Sequence, residues 1–297
     1  MFIIKYKHIF IGISAALIVI SVSMIAWFGL RPGIDFTGGT VTQVSFPDSR
    51  PSVISINERL SVLSIGTVHV QPIGENDYTV KTRHLEDSER AVLLNTLKGS
   101  DTMVEKSYSS IGPSVGHELA RKAIVAIILV SLCIVLFIAF AFRGVSEPVP
   151  SWKYGVIAIG TLLHDIIIPT GIFAFLSSRM GAEVDTLFVV ALLTVLGLSV
   201  SDTIVIFDRI RENLKNRSFK TFEEAVGRSI EQTYVRSINT SLMVIIVLLA
   251  LFFFGPSSTR VFALMLTAGM FFGTYSSIFL ASPLLVAWEQ AQAKKKK

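Results

Sequence analysis

The chain has 297 residues, 51% hydrophobic and only 16% charged, with a net charge of +5 and a mean hydropathy of +0.62. A soluble domain carries about 25% charged residues, and the deficit here is local. Long stretches hold no charge while 31–122 has an ordinary soluble composition, which excludes one large soluble core. The basic residues lie on short loops beside apolar runs, where membrane topology puts them, so the surplus does not point to nucleic acid. The lone cysteine, Cys133, sits in an apolar run, which excludes a disulfide within the chain and predicts a small buried hydrophobe.

In chain order, the first apolar run is Ile9–Leu30, long enough at 1.5 Å per residue to cross a hydrocarbon core of about 30 Å. Lys5 and Lys7 ahead of it would suit a signal peptide. The apolar core of such a peptide spans only about 7–15 residues, so an uncleaved helix is the better reading. Five further runs follow: Ala123–Phe142, Tyr154–Leu176 (interrupted by His164, Asp165 and Pro169), Thr186–Phe207 (interrupted by Asp202), Ser237–Phe254, and Val261–Trp288 (broken by Gly269 and Pro283).

Lysine and arginine set the orientation. With the N-terminus inside, Lys5, Lys7, Arg143 and Lys153 fall on inner segments, as do the basic residues of the loop 209–236 and of the tail 289–297. The short outer loops then keep only Arg179 and Arg260. Both termini are thus expected in the cytoplasm and the segment 31–122 outside, in a multi-pass protein of a cytoplasmic membrane.

Within 31–122, Val41–Phe46 alternates like a strand and Ser52–Leu63 carries helical spacing with Ser52 or Ser55 as a cap. Val68–Pro72 and Tyr78–Thr82 read as strands around a turn with Gly74, Asn76 and Asp77. Asp87–Leu97 reads as a second helix ending at Gly99, and Thr102–Tyr108 as a last strand. The order βαββαβ is the ferredoxin-like arrangement. The predicted fold class is therefore a polytopic α-helical membrane protein, with transmembrane segments at 1–30 and 123–288 and a small α+β domain between the first two of six spans. In the inner loop, Thr221-Phe222-Glu223-Glu224 forms a capping-box pattern before an amphipathic stretch, which predicts a helix lying at the membrane surface.

Enzyme chemistry finds no foothold. Gly33-Ile34-Asp35-Phe36-Thr37-Gly38-Gly39-Thr40 nearly fits a phosphate-binding loop, but glycine stands where that loop needs lysine. Its glycines suit a tight exit from the membrane into the first strand. No HExxH, CxxC or GxSxG occurs, and nothing in the sequence implies a metal or cofactor.

Ionisable groups inside apolar spans are costly and therefore functional candidates. Asp202 has Ser199, Ser201 and Thr203 around it, and on a helix Asp202 and Thr203 lie three and four residues after Ser199 and so neighbour it. Arg236 opens the next span with Asn239 and Thr240 one turn deeper, and an Asp202–Arg236 pair suits two antiparallel helices. Asp165, beside His164, is the rival. It lies near mid-membrane, while Asp202 is about 9 Å from the inner boundary. A structural hydrogen bond between helices would explain either carboxylate as well.

Several stretches then appear in order: GIDFTGG at Gly33–Gly39, IGPSVGHEL at Ile111–Leu119, His164-Asp165, SDTIVIFDRIREN at Ser201–Asn213 and RSINTS at Arg236–Ser241. The set resembles the SecD/SecF family of bacterial protein-export membrane subunits, on its SecF side, from the first span to the last. The resemblance implies six spans, an outer domain after the first, and a complex with SecD beside the SecYEG channel. It also implies use of the proton gradient to help draw an unfolded polypeptide across the lipid bilayer. It makes Asp202 and Arg236 the proton-linked pair, working with an aspartate from SecD, and so ranks Asp202 above Asp165. Family members usually have tyrosine and asparagine where Leu198 and Ser201 stand here, which leaves the surroundings of Asp202 open to different tuning. A proton-driven half-exporter of a lipid or small hydrophobic molecule is the alternative, against which the small size of 31–122 counts, and a non-conducting scaffold of the translocon a third.

Overall fold

The computed structural model describes residues 2–48, 50–141, 150–216 and 219–295. Phe142, Arg143, Arg217, Lys296 and Lys297 lie outside the described residues. The chain divides into two compact units, one of Pro32–Val125 and one of the remaining residues.

The smaller unit is a four-stranded antiparallel sheet with two helices. Strands β1 (Gly39–Ser45), β2 (His69–Ile73), β3 (Asp77–Thr82) and β4 (Val104–Ile111) stand in the order β2-β3-β1-β4, the ferredoxin-like topology. Alternation along β1 and β3 turns Val44, Tyr78 and Val80 to one face. There they meet Ile56 and Leu60 of one helix (Val53–Ser61) and Leu93 and Leu97 of the other (Asp87–Lys98). Ser52 caps the first helix by accepting from the Ser55 amide at 3.1 Å. At the start of the second, Glu89 accepts from the Glu86 amide and from both terminal nitrogens of Arg83, which holds its carboxyl down to about 2.

Gly33–Gly39 makes the entry into this unit. One helical turn, Ile34–Thr37, ends in two glycines with positive φ, Gly38 at 75° and Gly39 at 144°. A Cβ on Gly38 would stand 2.6 Å from the Pro113 Cα, and one on Gly116 would stand 2.7 Å from the Gly38 nitrogen. The GIDFTGG and IGPSVG stretches, remote in sequence, are therefore pressed backbone to backbone where the chain enters and leaves the domain.

Among the described residues six helices are long and apolar enough to cross a membrane. In chain order we label them α1 (Lys7–Phe28), α2 (Pro113–Ala141), which starts in the smaller unit, α3 (Ser151–Met180), α4 (Thr186–Lys215), α5 (Phe222–Phe254) and α6 (Ser257–Ser276). The last continues through a π-helical turn, Ser277–Ala281, into α7 (Ser282–Lys295). Asp185 caps α4 through the Phe188 amide at 2.7 Å, and Thr221 caps α5 through the Glu224 amide at 3.1 Å.

Helices outrun the apolar segments at several ends. The expected surface-lying helix after Thr221 is instead the first turns of α5, which runs unbroken for 33 residues. Its apolar side, including Val226 and Ile230, packs into the same core as Phe207 and Ile210 of α4, and this burial holds it upright. Asn213 ties the two helices by donating to Ser229 at 2.8 Å and Gln232 at 3.0 Å. Cys133 is exposed on α2 rather than buried, because much of that helix lies uncovered.

Candidate intramembrane proton site

Two glycines decide how the polar centre forms. A Cβ on Gly269 of α6 would fall 2.1 Å from Val195 Cγ2 of α4, and one on Gly273 would fall 3.0 Å from Ser199 Cβ. Gly269 therefore allows close approach of α6 to α4 and does not break the span. The break comes later. Pro283 has no N–H and its ring crowds the carbonyl four residues back, at Phe279, and the widened π turn over Ser277–Ala281 relieves that conflict.

The close approach brings hydroxyls of α6 to both intramembrane carboxylates, which hold separate networks. Asp165 is fully buried. Its Oδ1 lies 2.8 Å from His164 Nδ1, and its Oδ2 accepts from Ser199 Oγ and, at 2.9 Å, from Ser276 Oγ. Asp202 is half-buried. Its Oδ2 accepts from Ser241 Oγ at 3.3 Å, and Ser241 accepts from Thr274 Oγ1 at 2.5 Å. Ser237, one turn before Ser241 on the same side of α5, borders the carboxylate without closing a hydrogen bond.

The expected constellation thus divides. Ser199 serves Asp165, and Thr203 bonds to Ser277 at 2.8 Å instead of Asp202. Ser201, Arg236, Asn239 and Thr240 are all exposed, and the Thr240 hydroxyl donates to the Arg236 carbonyl at 2.9 Å. Among the described residues the Arg236 guanidinium makes no ion pair, so it acts on Asp202 only through space. The helical phase explains this: Ser237 and Ser241, four apart, turn toward α4, which leaves Arg236, Asn239 and Thr240 on a different side of α5. Leu198 and Ser201 are exposed too, so these departures from the family pattern leave the hydroxyls on Asp202 untouched. Asp208 pairs with Arg211 at 3.7 Å and stands apart from both networks.

Ser241, Thr274, Ser276 and Ser277 were not singled out from sequence. Hydroxyl residues within two largely apolar spans are the available signal, and Ser237, Thr240, Thr267 and Ser282 share it. Which carboxylate each one meets depends on helix rotation, which an apolar run does not encode.

Both ends of the chain match known families. Residues 92–291 match the family of the protein export membrane protein SecD/SecF, C-terminal, and residues 27–46 match the SecD/SecF GG motif. The chain belongs to the SecD/SecF family. The GG motif covers Gly38, the glycine that meets Pro113, and the larger match takes in both carboxylates. The protein translocase subunit SecF of Thermobaculum terrenum is 44% identical over 97% of this chain and 93% of its own length. That of Anaerolinea thermophila is 37% identical over 96% and 93%. The translocon-associated membrane protein SecDF of Thermus thermophilus superposes with a TM-score of 0.83 at 31% identity, over 97% of this chain and 38% of that one. This chain therefore spans well under half of that SecDF, as it does of the Bacillus subtilis SecDF, to which it is 33% identical over 98% of its own length.

Proposed function

We propose that this chain is a SecF-type subunit that joins SecD and uses the proton gradient to promote export of unfolded polypeptide through the SecYEG channel, across a bacterial cytoplasmic membrane. The observation that carries this reading is the half-buried Asp202, held by a serine–threonine relay in a chain that matches SecF of Thermobaculum terrenum over 93% of that protein's length. Asp202 is the proton carrier, with Arg236 setting its proton affinity. Arg236, Asn239, Thr240 and Ser201 give the isolated chain polar groups on the outsides of spans, where lipid is a poor solvent for them. SecD, which is part of the same chain in the SecDF relatives, is the partner expected to cover them. Ser199, Thr203 and Asp165 shape the interior beside the carrier, and the protein works without a metal, a cofactor or catalysis of its own.

In this reading both termini are cytoplasmic, 31–122 forms the outer domain, and the connection within 209–236 is inside. A reporter fused near Asn76 is expected to read as outside and one near Lys215 as inside; an exchange of the two would overturn the arrangement. Asp165→Asn is expected to lower gradient-driven export while leaving a clear response to the gradient, because Asp202 and its relay remain. Export into inverted vesicles checks this, and a loss as complete as that of Asp202→Asn would reverse the ranking of the two carboxylates. Purification from native membranes under mild detergent tests the assembly, with SecD and SecYEG expected to be recovered together with the chain.

A further inference from the structure

The mechanism above leaves one ionisable cluster unused. His164 and Asp165 are both fully buried halfway along α3. One oxygen of Asp165 lies 2.8 Å from His164 Nδ1 and the other accepts from the Ser199 and Ser276 hydroxyls, so that the Nδ1-protonated tautomer of His164 would give the carboxylate three donors. The other imidazole nitrogen, His164 Nε2, is buried and has no partner. The imidazole lies nearly parallel to the Tyr275 ring, with centroids 6.2 Å apart and an interplanar angle of 20°.

Among the described residues the surrounding elements bring hydroxyls to the pair. Gly171 abuts Ser21, and the rings of Phe175 and Phe28 meet at 5.6 Å, so α3 and α1 run parallel. Ser14 Oγ is itself buried and without a partner. From α4 come Ser199 and, one turn on, Asp202; from α6 come Tyr275 and Ser276, with Ser277 opening the π turn. Pro169, four residues after Asp165, offers no N–H to the Asp165 carbonyl and leaves that turn of α3 more polar still. Among the described residues the other titratable side chain that meets the pair is Tyr275, and it cannot offset a negative charge.

With Nδ1 protonated and the carboxylate ionised, the pair carries one net negative charge in an enclosed interior. Such a charge is retained only when it is neutralised. One proton does this, by forming an N–H bond at the vacant Nε2 or an O–H bond on the carboxylate. We propose that His164 and Asp165 form a second proton-binding site, distinct from Asp202, that takes up one proton per chain and reports its state through Ser276 to the π turn. The wiring is short. Ser276 ends α6 on Asp165, Ser277 begins the π turn on Thr203, and Thr274 reaches Asp202 through Ser241. Neutralising Asp165 weakens its hold on Ser276 and Ser199, which loosens the same four-residue stretch that fixes the relay on Asp202. Proton binding at this pair stands independently of the export reading; only its coupling to Asp202 rests on that reading.

The test measures protons and not export. The full chain carrying Asp202→Asn, purified in detergent, is titrated by pH-jump proton uptake and by infrared difference spectroscopy of carboxyl and imidazole bands. It is expected to take up one more proton per chain than Asp202→Asn/Asp165→Asn, with the matching bands lost in the double variant. Ser276→Ala in the same background keeps the carboxylate and removes one donor to its charged form, so proton affinity should rise by about tenfold. His164→Gln removes the vacant nitrogen and should shift or abolish the uptake. Equal uptake in the two aspartate variants overturns the proposal. If the double variant does not fold, an unmoved midpoint in both Ser276→Ala and His164→Gln overturns it instead. Failure of the export reading appears separately, as retained gradient-driven export in Asp202→Asn alone.

Discussion

Asp202→Asn is expected to abolish the stimulation of export by a proton gradient while leaving the protein folded, inserted and bound to SecD. Asparagine matches aspartate in size and still accepts from Ser241, so the Ser241–Thr274 relay closes around it much as before. What it loses is the ability to take and release a proton. A carboxylate in an apolar span is pushed toward its neutral form by desolvation and drawn back by a cation within about 4–6 Å. Asp202 is half-buried, and among the described residues Arg236 makes no ion pair with it. A rearrangement that brings Arg236 onto the carboxylate would expel the proton, and its withdrawal would readmit one, the two-position cycle that coupling needs. Arg236→Met should therefore also uncouple, by leaving Asp202 protonated throughout. Late-stage export into vesicles with and without an imposed gradient, alongside recovery of the SecD complex, is the measurement. A merely structural Asp202 predicts either a silent substitution or a complex that falls apart, and an Asp202→Asn variant that still answers the gradient ends the proton-carrier reading.

The second large effect is expected at Gly38, outside any ionisable chemistry. Gly38 has φ of 75°, and a Cβ there would press on the Pro113 Cα at 2.6 Å and its nitrogen at 2.8 Å. Both atoms are backbone and cannot swing aside. Left-handed strain of about 1–2 kcal/mol and overpacking of about 1–3 kcal/mol together put Gly38→Val at about 2–5 kcal/mol. A small domain has about 5–15 kcal/mol in total, so the outer domain should become sensitive to added protease and export should fail. Gly74 supplies the contrast. Its φ of 55° is also positive, but no atom stands within 4 Å of a Cβ there. Gly74→Ala should cost only the strain, about 1–2 kcal/mol, and leave protease resistance nearly intact. Equal protease sensitivity in the two variants would show that the contact with Pro113 is not what matters.

The features legible in the sequence were those with a period or a composition. Apolar runs long enough to span a bilayer marked six helices, and alternation against helical spacing marked the βαββαβ order. Helix ends were less legible. An apolar run records what lipid covers, whereas a helix continues wherever tertiary packing supports it, as Val226 and Ile230 do at the start of α5. Asp202, Asp165 and Arg236 stood out as charges in apolar surroundings. The partition of Ser199 to one carboxylate and Ser241 to the other did not, because it follows from how α4 is rotated against α3 on one side and α5 on the other. Nor could spacing show Arg236 facing outward, since its phase relative to Ser237 acquires meaning only when the helix that Ser237 meets is known.

The π turn at Ser277–Ala281 also sets a phase. Each residue of an α-helix advances the side chains by about 100° around the axis, so the extra residue held in a π turn rotates everything after it by that amount. The residues after it include Trp288, whose ring meets Trp152 edge to face at 5.4 Å, Gln290, which donates to Glu223 at 3.1 Å, and Gln292, which accepts from the buried Lys153. Loss of a single codon within 277–281 would keep the composition, the hydropathy and the apparent span, yet swing all three side chains away from their partners. In this helix a one-residue deletion is a more radical change than most substitutions, and length in this stretch should drift more slowly than residue identity.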